Sequence, residues 1–215
     1  MKIASLVASI VCALVVGWIG ATKWNSGFAE TAQTMQCRPT SPQHLEADKK
    51  VLFWGNSLAF DHGWTLDGYQ TVNCARQGLT AERAQEATSK LPKTNFAAII
   101  LVFGTVELVR GIEETAPFEA AIFRISQQLR QDYPDATILA LGIPTGANGA
   151  WDYAGSTQPE RLNAALESLS NVQFVDTTQV LSRIGFGRVS YDGVHLFPAS
   201  YLAIEREIET VLGSD

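Results

Sequence analysis

The chain has 215 residues, of which 46% are hydrophobic, and it carries a formal net charge of −6 with a pI of about 5.1. This length and apolar fraction allow one domain with a full-sized core. An acidic chain without a basic stripe cannot neutralise many phosphates. The composition therefore argues against a nucleic-acid partner and against electrostatic binding to anionic lipid surfaces, and it leaves the oligomeric state open.

The N-terminal segment is apolar along its whole length. Between Lys2 and Lys23, residues 3–22 carry no charged side chain. We interpret residues 1–24 as an uncleaved signal anchor, with a cleaved signal peptide as the alternative, because the run is short for a membrane span and long for a signal-peptide core. The anchor predicts a single-pass inner or plasma membrane protein with an exported domain. The cleaved signal predicts a periplasmic or secreted protein.

A polar segment follows the apolar one. Residues 25–48 are rich in Thr, Gln and Ser and predict a linker, so that residues 49–215 form the remaining domain. Cys37 lies in this linker and Cys74 lies in the domain. In an oxidising compartment the two can form a disulfide, and the alternative is a pair of unrelated thiols.

Apolar runs that alternate with helical patterns indicate the fold of the domain. Five runs predict strands, at residues 51–54, 69–73, 97–103, 137–143 and 172–175. Four helices are predicted between and after them, over residues 80–91 with Thr80 as a possible cap, and around residues 118–129, 162–169 and 201–212. This alternation predicts a three-layer α/β/α sandwich with a doubly wound, mainly parallel five-stranded sheet.

Ser57 follows the first predicted strand. Ligands of a doubly wound sheet bind beyond the carboxyl ends of its strands, so this serine is well placed for chemistry. A helix that begins there would also favour a developing negative charge on oxygen. The alternative for Ser57 is a helix cap, which is a common role for serine.

Three histidines are available as a general base near neutral pH. His44 lies in the polar linker, and His62 is a poor base for Ser57 because it is only five positions further along the chain. His195 precedes the last predicted helix, and Asp192, three residues earlier, can orient and stabilise its ring. The alternatives are a turn or cap role for Asp192 and a core histidine at His195. Together Ser57, Asp192 and His195 supply a nucleophile, an orienting group and a base.

The segments around these residues resemble the sequence blocks of the GDSL/SGNH hydrolase family. The first block reads FWGNSLAF, in which Ser57 matches the family nucleophile and Asn56 replaces the usual aspartate. In the second block, residues 73–78, Gly78 matches the residue whose backbone N–H donates to the oxyanion. The last block matches fully at Asp192 and His195.

The resemblance covers roughly residues 50–212. It implies the flavodoxin-like SGNH hydrolase fold and a serine esterase. Its catalytic residues would be Ser57, Asp192 and His195, and its oxyanion hole would consist of the backbone N–H groups of Ser57 and Gly78.

The third block departs from the family pattern. Gly104 ends the third predicted strand as expected, but Val106 occupies the position of the family asparagine and Glu107 that of the following aspartate. Valine has no hydrogen-bond donor in its side chain, and the loss of one oxyanion donor typically lowers the rate by about 10²–10³. Thr105 is a possible substitute, and Glu107 can be read as a structural hydrogen-bonding residue.

The sequence thus predicts an exported, membrane-tethered serine ester hydrolase that cleaves an acyl or acetyl ester of a small molecule, glycan or lipid. One alternative is an acyltransferase that modifies a cell-surface glycan. Another, suggested by Val106, is a non-catalytic binding module with the same fold. No cofactor and no metal are expected, because the histidines and cysteines are too scattered for ligand spacing, and the substrate-binding residues stay unassigned.

Overall fold

The computed structural model describes residues 37–40, 48–111, 113–145, 158–184 and 190–213. They form a six-stranded sheet with helices on both of its faces. In chain order the strands are β1 (Arg38–Pro39), β2 (Lys49–Gly55), β3 (Tyr69–Asn73), β4 (Ala98–Val102), β5 (Thr137–Leu141) and β6 (Gln173–Val175). The order across the sheet is β1-β3-β2-β4-β5-β6, and every pair is parallel except β1 with β3.

Helices follow most of the strands in the described part of the chain. They are α1 (Ser57–Phe60), α2 (Ala81–Thr88), α3 (Thr105–Val109), α4 (Ala116–Asp132), α5 (Gln158–Glu167), α6 (Thr177–Ser182) and α7 (Pro198–Leu212). Helix α2 packs against α4, α4 against α5, and α6 against α7. The Thr80 hydroxyl caps α2 by accepting from the backbone N–H of Arg83, as the sequence predicted.

The core is formed by the segments whose apolar patterns are clearest in the sequence, above all β4 and α4. All five residues of β4 are buried, because this strand lies between β2 and β5 and is covered on both faces. Helix α4 turns one apolar face inward, and its residues Phe118, Ile122, Ile125 and Leu129 are at most 2% exposed. The predicted α/β sandwich with a doubly wound sheet is therefore confirmed.

The sheet has one strand more than the five that were predicted. The extra strand, β1, lies in the segment predicted as a linker and pairs antiparallel with the edge strand β3. It has two residues, too few to show a period. Pro39 has no N–H to donate, which restricts it to such an edge position. The disulfide between Cys37 and Cys74 and the hydrogen bonds of Thr40 with Trp64 and Thr71 hold this segment against the domain.

The carboxyl ends of β2, β3 and β4 are held together by close packing and backbone hydrogen bonds. Gly55, at the end of β2, has no room for a side chain, because a Cβ atom there would collide with the backbone carbonyl of Val102 on β4. Beyond β3, the backbone N–H groups of Cys74 and Arg76 donate to the carbonyl oxygens of Phe53 and Gly55 at 2.9 Å. The turn after β3 is therefore fixed beside the residue that precedes Asn56 and Ser57.

The predicted membrane anchor lies in a part of the chain that the structure does not describe. Among the described residues, no helix is long and apolar enough to cross a membrane. The predicted signal anchor, residues 1–24, and most of the predicted linker lie outside the described residues.

Candidate active site

Ser57 is the first residue of α1, directly after β2. The cap of this helix is Asn56, whose side-chain Oδ1 accepts from the backbone N–H of Leu58 at 3.1 Å. The alternative role of Ser57 as the helix cap is therefore filled by its neighbour. Within the described residues the partly exposed Ser57 side chain forms no hydrogen bond, so its hydroxyl is available for a reaction.

Asp192 and His195 form a closely coupled pair before α7. Asp192 Oδ2 lies 2.7 Å from Nδ1 of His195, and Asp192 Oδ1 accepts from the backbone N–H groups of Val194 and His195 at 2.8 and 2.6 Å. A carboxylate can only accept, so Nδ1 carries the proton and Nε2 is left as the basic nitrogen. The predicted pairing of these two residues is thus present in the structure.

The backbone around this pair is itself fixed. Gly193 has a φ of 87°, a conformation that glycine adopts readily, and its N–H donates to the Ser190 hydroxyl at 2.8 Å. Tyr191 donates its N–H to the carbonyl oxygen of His195 at 3.1 Å. Burial acts to raise the pKa of Asp192, but the hydrogen bonds from His195 and the neighbouring backbone outweigh it and lower that pKa. Asp192 is therefore ionised at neutral pH.

The other nitrogen of His195 lies near Asp61, the residue that follows α1. Nε2 is buried and forms no hydrogen bond with any described residue, and thus none with the Ser57 hydroxyl. Its nearest ionic neighbour is Asp61, whose Oδ2 lies 3.5 Å away. The backbone N–H of Asp61 donates to the carbonyl oxygen of Ser57 at 2.9 Å, so one residue links the serine helix to the histidine. Hydrogen bonds between catalytic groups are often long without substrate and tighten when it binds.

Asp61 was not among the residues predicted for the site. Asp61 is the fourth residue after Ser57, one helical turn away at the end of α1, and that spacing is the signal that could have indicated it. Its Oδ1 accepts from the side-chain amide of Gln77 at 2.9 Å, and Gln77 precedes Gly78. Asp61 thus connects the serine helix, the histidine and the turn after β3.

His62 has a structural role, in agreement with its exclusion as the base. Its Nε2 lies 3.0 Å from Oε1 of the buried Glu205, and its ring stacks on Tyr201 with centroids 4.0 Å apart. The same carboxylate accepts from the backbone N–H of Thr65 at 2.7 Å. These contacts attach the loop after α1 to α7. The third histidine, His44, lies outside the described residues.

Gly78, the predicted oxyanion donor, lies in a turn held by α3. It has a φ of 63°, and its carbonyl oxygen accepts from Arg110 Nη2 at 3.1 Å. Three residues later, the backbone N–H of Ala81 donates to Glu107 Oε1 at 2.7 Å. Burial raises the pKa of Glu107, while these backbone contacts and Arg110 act against the rise. Glu107 is thus a structural hydrogen-bonding residue.

Val106, at the family asparagine position, is buried at the start of α3, and Thr105 beside it is buried too. In the described residues, no group of three His, Cys, Asp or Glu side chains is placed to hold a metal ion. The site therefore contains the hydrogen-bonded pair of Asp192 and His195, a serine hydroxyl without a hydrogen bond at Ser57, and a fixed turn at Gly78.

Comparisons with known proteins identify the fold of this site. No protein-family model and no curated protein matches the sequence. The structure resembles that of Axe2, an acetylxylan esterase from Geobacillus stearothermophilus, with a TM-score of 0.62 and 13% identity over 78% of this chain and 95% of that one. It also resembles TesA, with a TM-score of 0.60 and 19% identity over 77% of this chain and 99% of that one.

Both neighbours are hydrolases of the GDSL/SGNH type. The chain therefore has the SGNH hydrolase fold, which confirms the fold that its motifs predicted. At these identities the likeness establishes the fold, and the activity has to be argued from the site.

Proposed function

We propose that this protein is an exported, membrane-tethered serine esterase of the SGNH type that cleaves an acyl or acetyl ester. The observation that carries the proposal is the Asp192–His195 pair, at 2.7 Å, with Nε2 of His195 free of hydrogen bonds among the described residues and 3.5 Å from Asp61, the residue that follows the helix beginning at Ser57. A buried ring nitrogen that forms no hydrogen bond is costly unless it serves a purpose, and proton transfer from a serine is such a purpose.

The reaction would proceed in two steps. His195 Nε2 takes the proton of the Ser57 hydroxyl while Ser57 Oγ attacks the ester carbonyl, and the backbone N–H groups of Ser57 and Gly78 stabilise the oxyanion. His195 then protonates the leaving alcohol, and an acyl-enzyme remains on Ser57. Water, activated by the same nitrogen, releases the acid. Asp192 keeps the proton on Nδ1 and stabilises the imidazolium throughout.

Export and membrane tethering rest on other observations. The apolar residues 3–22 fit an anchor, and the disulfide between Cys37 and Cys74 fits an oxidising compartment. Cell fractionation of the full chain and of a variant without residues 1–24 tests this part. We expect the full chain with the membranes and the shortened variant outside them. A full chain in the soluble cytosolic fraction would contradict it.

The esterase is tested with the full chain in mild detergent and p-nitrophenyl acetate as substrate. We expect hydrolysis that is lost in Ser57→Ala and retained in Ser168→Ala, a matched serine that is exposed on the domain surface. A fluorophosphonate probe should label Ser57, as located by peptide mass spectrometry. Equal activity in Ser57→Ala would exclude the triad.

One observation favours a second candidate, a non-catalytic binding module. Val106 is buried where the family has a donor, so the oxyanion hole would rely on backbone groups alone. A folded wild-type protein that neither hydrolyses the aryl ester nor reacts with the probe, but binds a glycan tightly, would establish the module instead.

A further inference from the structure

The side of His195 that faces away from Asp192 is bordered by a second carboxylate. Asp61 Oδ2 lies 3.5 Å from Nε2, and its Oδ1 accepts from Gln77 Nε2 at 2.9 Å. The Asp61 side chain is 34% exposed, and Gln77 is exposed. A carboxylate and an amide thus reach solvent together beside the nitrogen that would transfer the proton.

In the proposed reaction, the leaving alcohol would come close to Asp61. In the proposed reaction, Nε2 donates its proton to the alcohol oxygen, so that oxygen must come within about 3 Å of Nε2. Groups on the alcohol next to the ester oxygen would then lie within reach of Asp61. A carboxylate only accepts hydrogen bonds, and its bonds with hydroxyl donors are charge-assisted. Asp61 therefore favours an alcohol that has a second hydroxyl beside the ester.

An aromatic ring lies next to the same histidine. Tyr191 is 56% exposed, and its ring is nearly parallel to that of His195, with centroids 6.0 Å apart and an interplanar angle of 21°. Phe197 supports it from another side at 6.0 Å. An exposed tyrosine offers a rigid apolar face with a polar edge, which suits a ring that is apolar on its faces and carries hydroxyls at its rim.

We propose that Asp61, Gln77 and Tyr191 form a subsite for the leaving alcohol that selects a neutral, polyhydroxylated ring such as a sugar. Asp61 accepts from a hydroxyl vicinal to the ester, Gln77 holds Asp61 and adds a donor and an acceptor, and Tyr191 packs on the ring. This inference rests on the proposed esterase, since it assigns the alcohol half of that enzyme's substrate.

The catalytic test compares two acetylated methyl glycosides, one with a free hydroxyl beside the ester and one with that hydroxyl O-methylated. We expect wild type to prefer the free hydroxyl by about tenfold in kcat/KM, since one charge-assisted hydrogen bond is worth about 1.5 kcal/mol or more. In Asp61→Asn this preference should fall toward one. Asp67→Asn, at an exposed aspartate on the same loop, is the matched control and should keep it.

A binding test removes the chemistry. The free methyl glycoside is titrated by ligand-observed NMR against the full chain, and we expect Asp61→Asn and Tyr191→Ala each to weaken its binding about fivefold or more. Thermal melts check that each variant is folded.

The two measurements separate the possible failures. If p-nitrophenyl acetate is hydrolysed through Ser57 but neither the preference nor the glycoside affinity changes in Asp61→Asn, the subsite is refuted and the esterase stands. If the glycoside binds through Asp61 without any hydrolysis, the esterase and its leaving-alcohol subsite are refuted, and Asp61 belongs to a glycan-binding site instead. Absence of both activities refutes both.

Discussion

Asp192 holds His195 by two routes at once, through Oδ2 to Nδ1 at 2.7 Å and through Oδ1 to the backbone N–H at 2.6 Å. The first contact sets the tautomer of the ring and the second fixes the turn that carries it. A substitution that separates these two functions shows whether the pair works as a catalytic couple.

Asp192→Asn makes this separation. The asparagine Oδ1 can still accept from the backbone N–H groups of Val194 and His195, so the turn should survive. Its amide nitrogen then faces Nδ1 and can only donate, which moves the ring proton to Nε2 and removes the base. We expect kcat for p-nitrophenyl acetate to fall by about 10³–10⁴, with the thermal midpoint nearly unchanged. An active Asp192→Asn enzyme would show that Asp192 is only a turn residue.

Val106→Asn tests the missing oxyanion donor. If the third block occupies its family position, the new amide reaches the oxyanion, and we expect kcat to rise about tenfold, part of the 10²–10³ that such a donor contributes. The buried amide should lower the free energy of unfolding by about 1–3 kcal/mol where its other groups stay unpaired.

Val106→Ala is the control for this change, because it alters the packing at the same position and adds no donor. Its kcat should not rise. A folded Val106→Asn protein with the kcat of wild type would place residue 106 out of reach of the oxyanion and leave the backbone N–H groups as the complete hole.

Most of the fold was predictable because each of its longer strands and helices shows a recognisable pattern of apolar residues. The run at β4 is apolar without a break, and α4 repeats its apolar residues at helical spacing, so both were found to within a few residues of their ends. The two-residue strand β1 and the short helices α3 and α6 were not predicted, and α1 was considered only as a helix that could begin at Ser57. Segments so short show no period, and tertiary contacts such as the Cys37–Cys74 disulfide determine their conformation.

In the candidate site too, some residues could be predicted from the sequence and others could not. Ser57, Gly78, Asp192 and His195 could be predicted as candidates because they lie in short motifs with fixed spacing. The contacts around His195 were not predicted, because Asp61 and its partner Gln77 lie far from His195 in the sequence and only the folded chain brings Asp61 to its ring. Tyr191 lies on the same loop as His195, but its ring contact depends on the turn between them. The spacing between Ser57 and Asp61 indicates that the two lie one helical turn apart, but it does not show that Asp61 comes within 3.5 Å of His195.

The disulfide should contribute a measurable part of the stability. Cys37 and Cys74 are 37 residues apart, and closing a loop of this size contributes roughly 4 kcal/mol in the loop-entropy account. We expect Cys37→Ser to lower the free energy of urea unfolding by about 3–4 kcal/mol. Cys12→Ser, which changes a cysteine outside this pair, is the control. Equal unfolding midpoints for wild type and Cys37→Ser would mean that the bridge does not form in the protein as isolated.

Glu107 should make the stability depend on pH. Burial raises its pKa in the folded protein above the ordinary value of 4.5, so the folded state binds the proton more tightly than the unfolded state. As pH rises from about 4.5 through the raised value, the unfolded chain releases this proton first, and stability is lost across that interval. We expect urea unfolding of the wild type to show this decline.

Glu107→Gln removes the titration while its carbonyl can still accept from the backbone N–H of Ala81. The decline above about pH 4.5 should therefore flatten relative to wild type. Glu82→Gln, at an exposed glutamate in the first turn of α2, is the matched control and should keep the wild-type slope. If Glu107→Gln keeps that slope as well, the buried carboxyl does not titrate in this range.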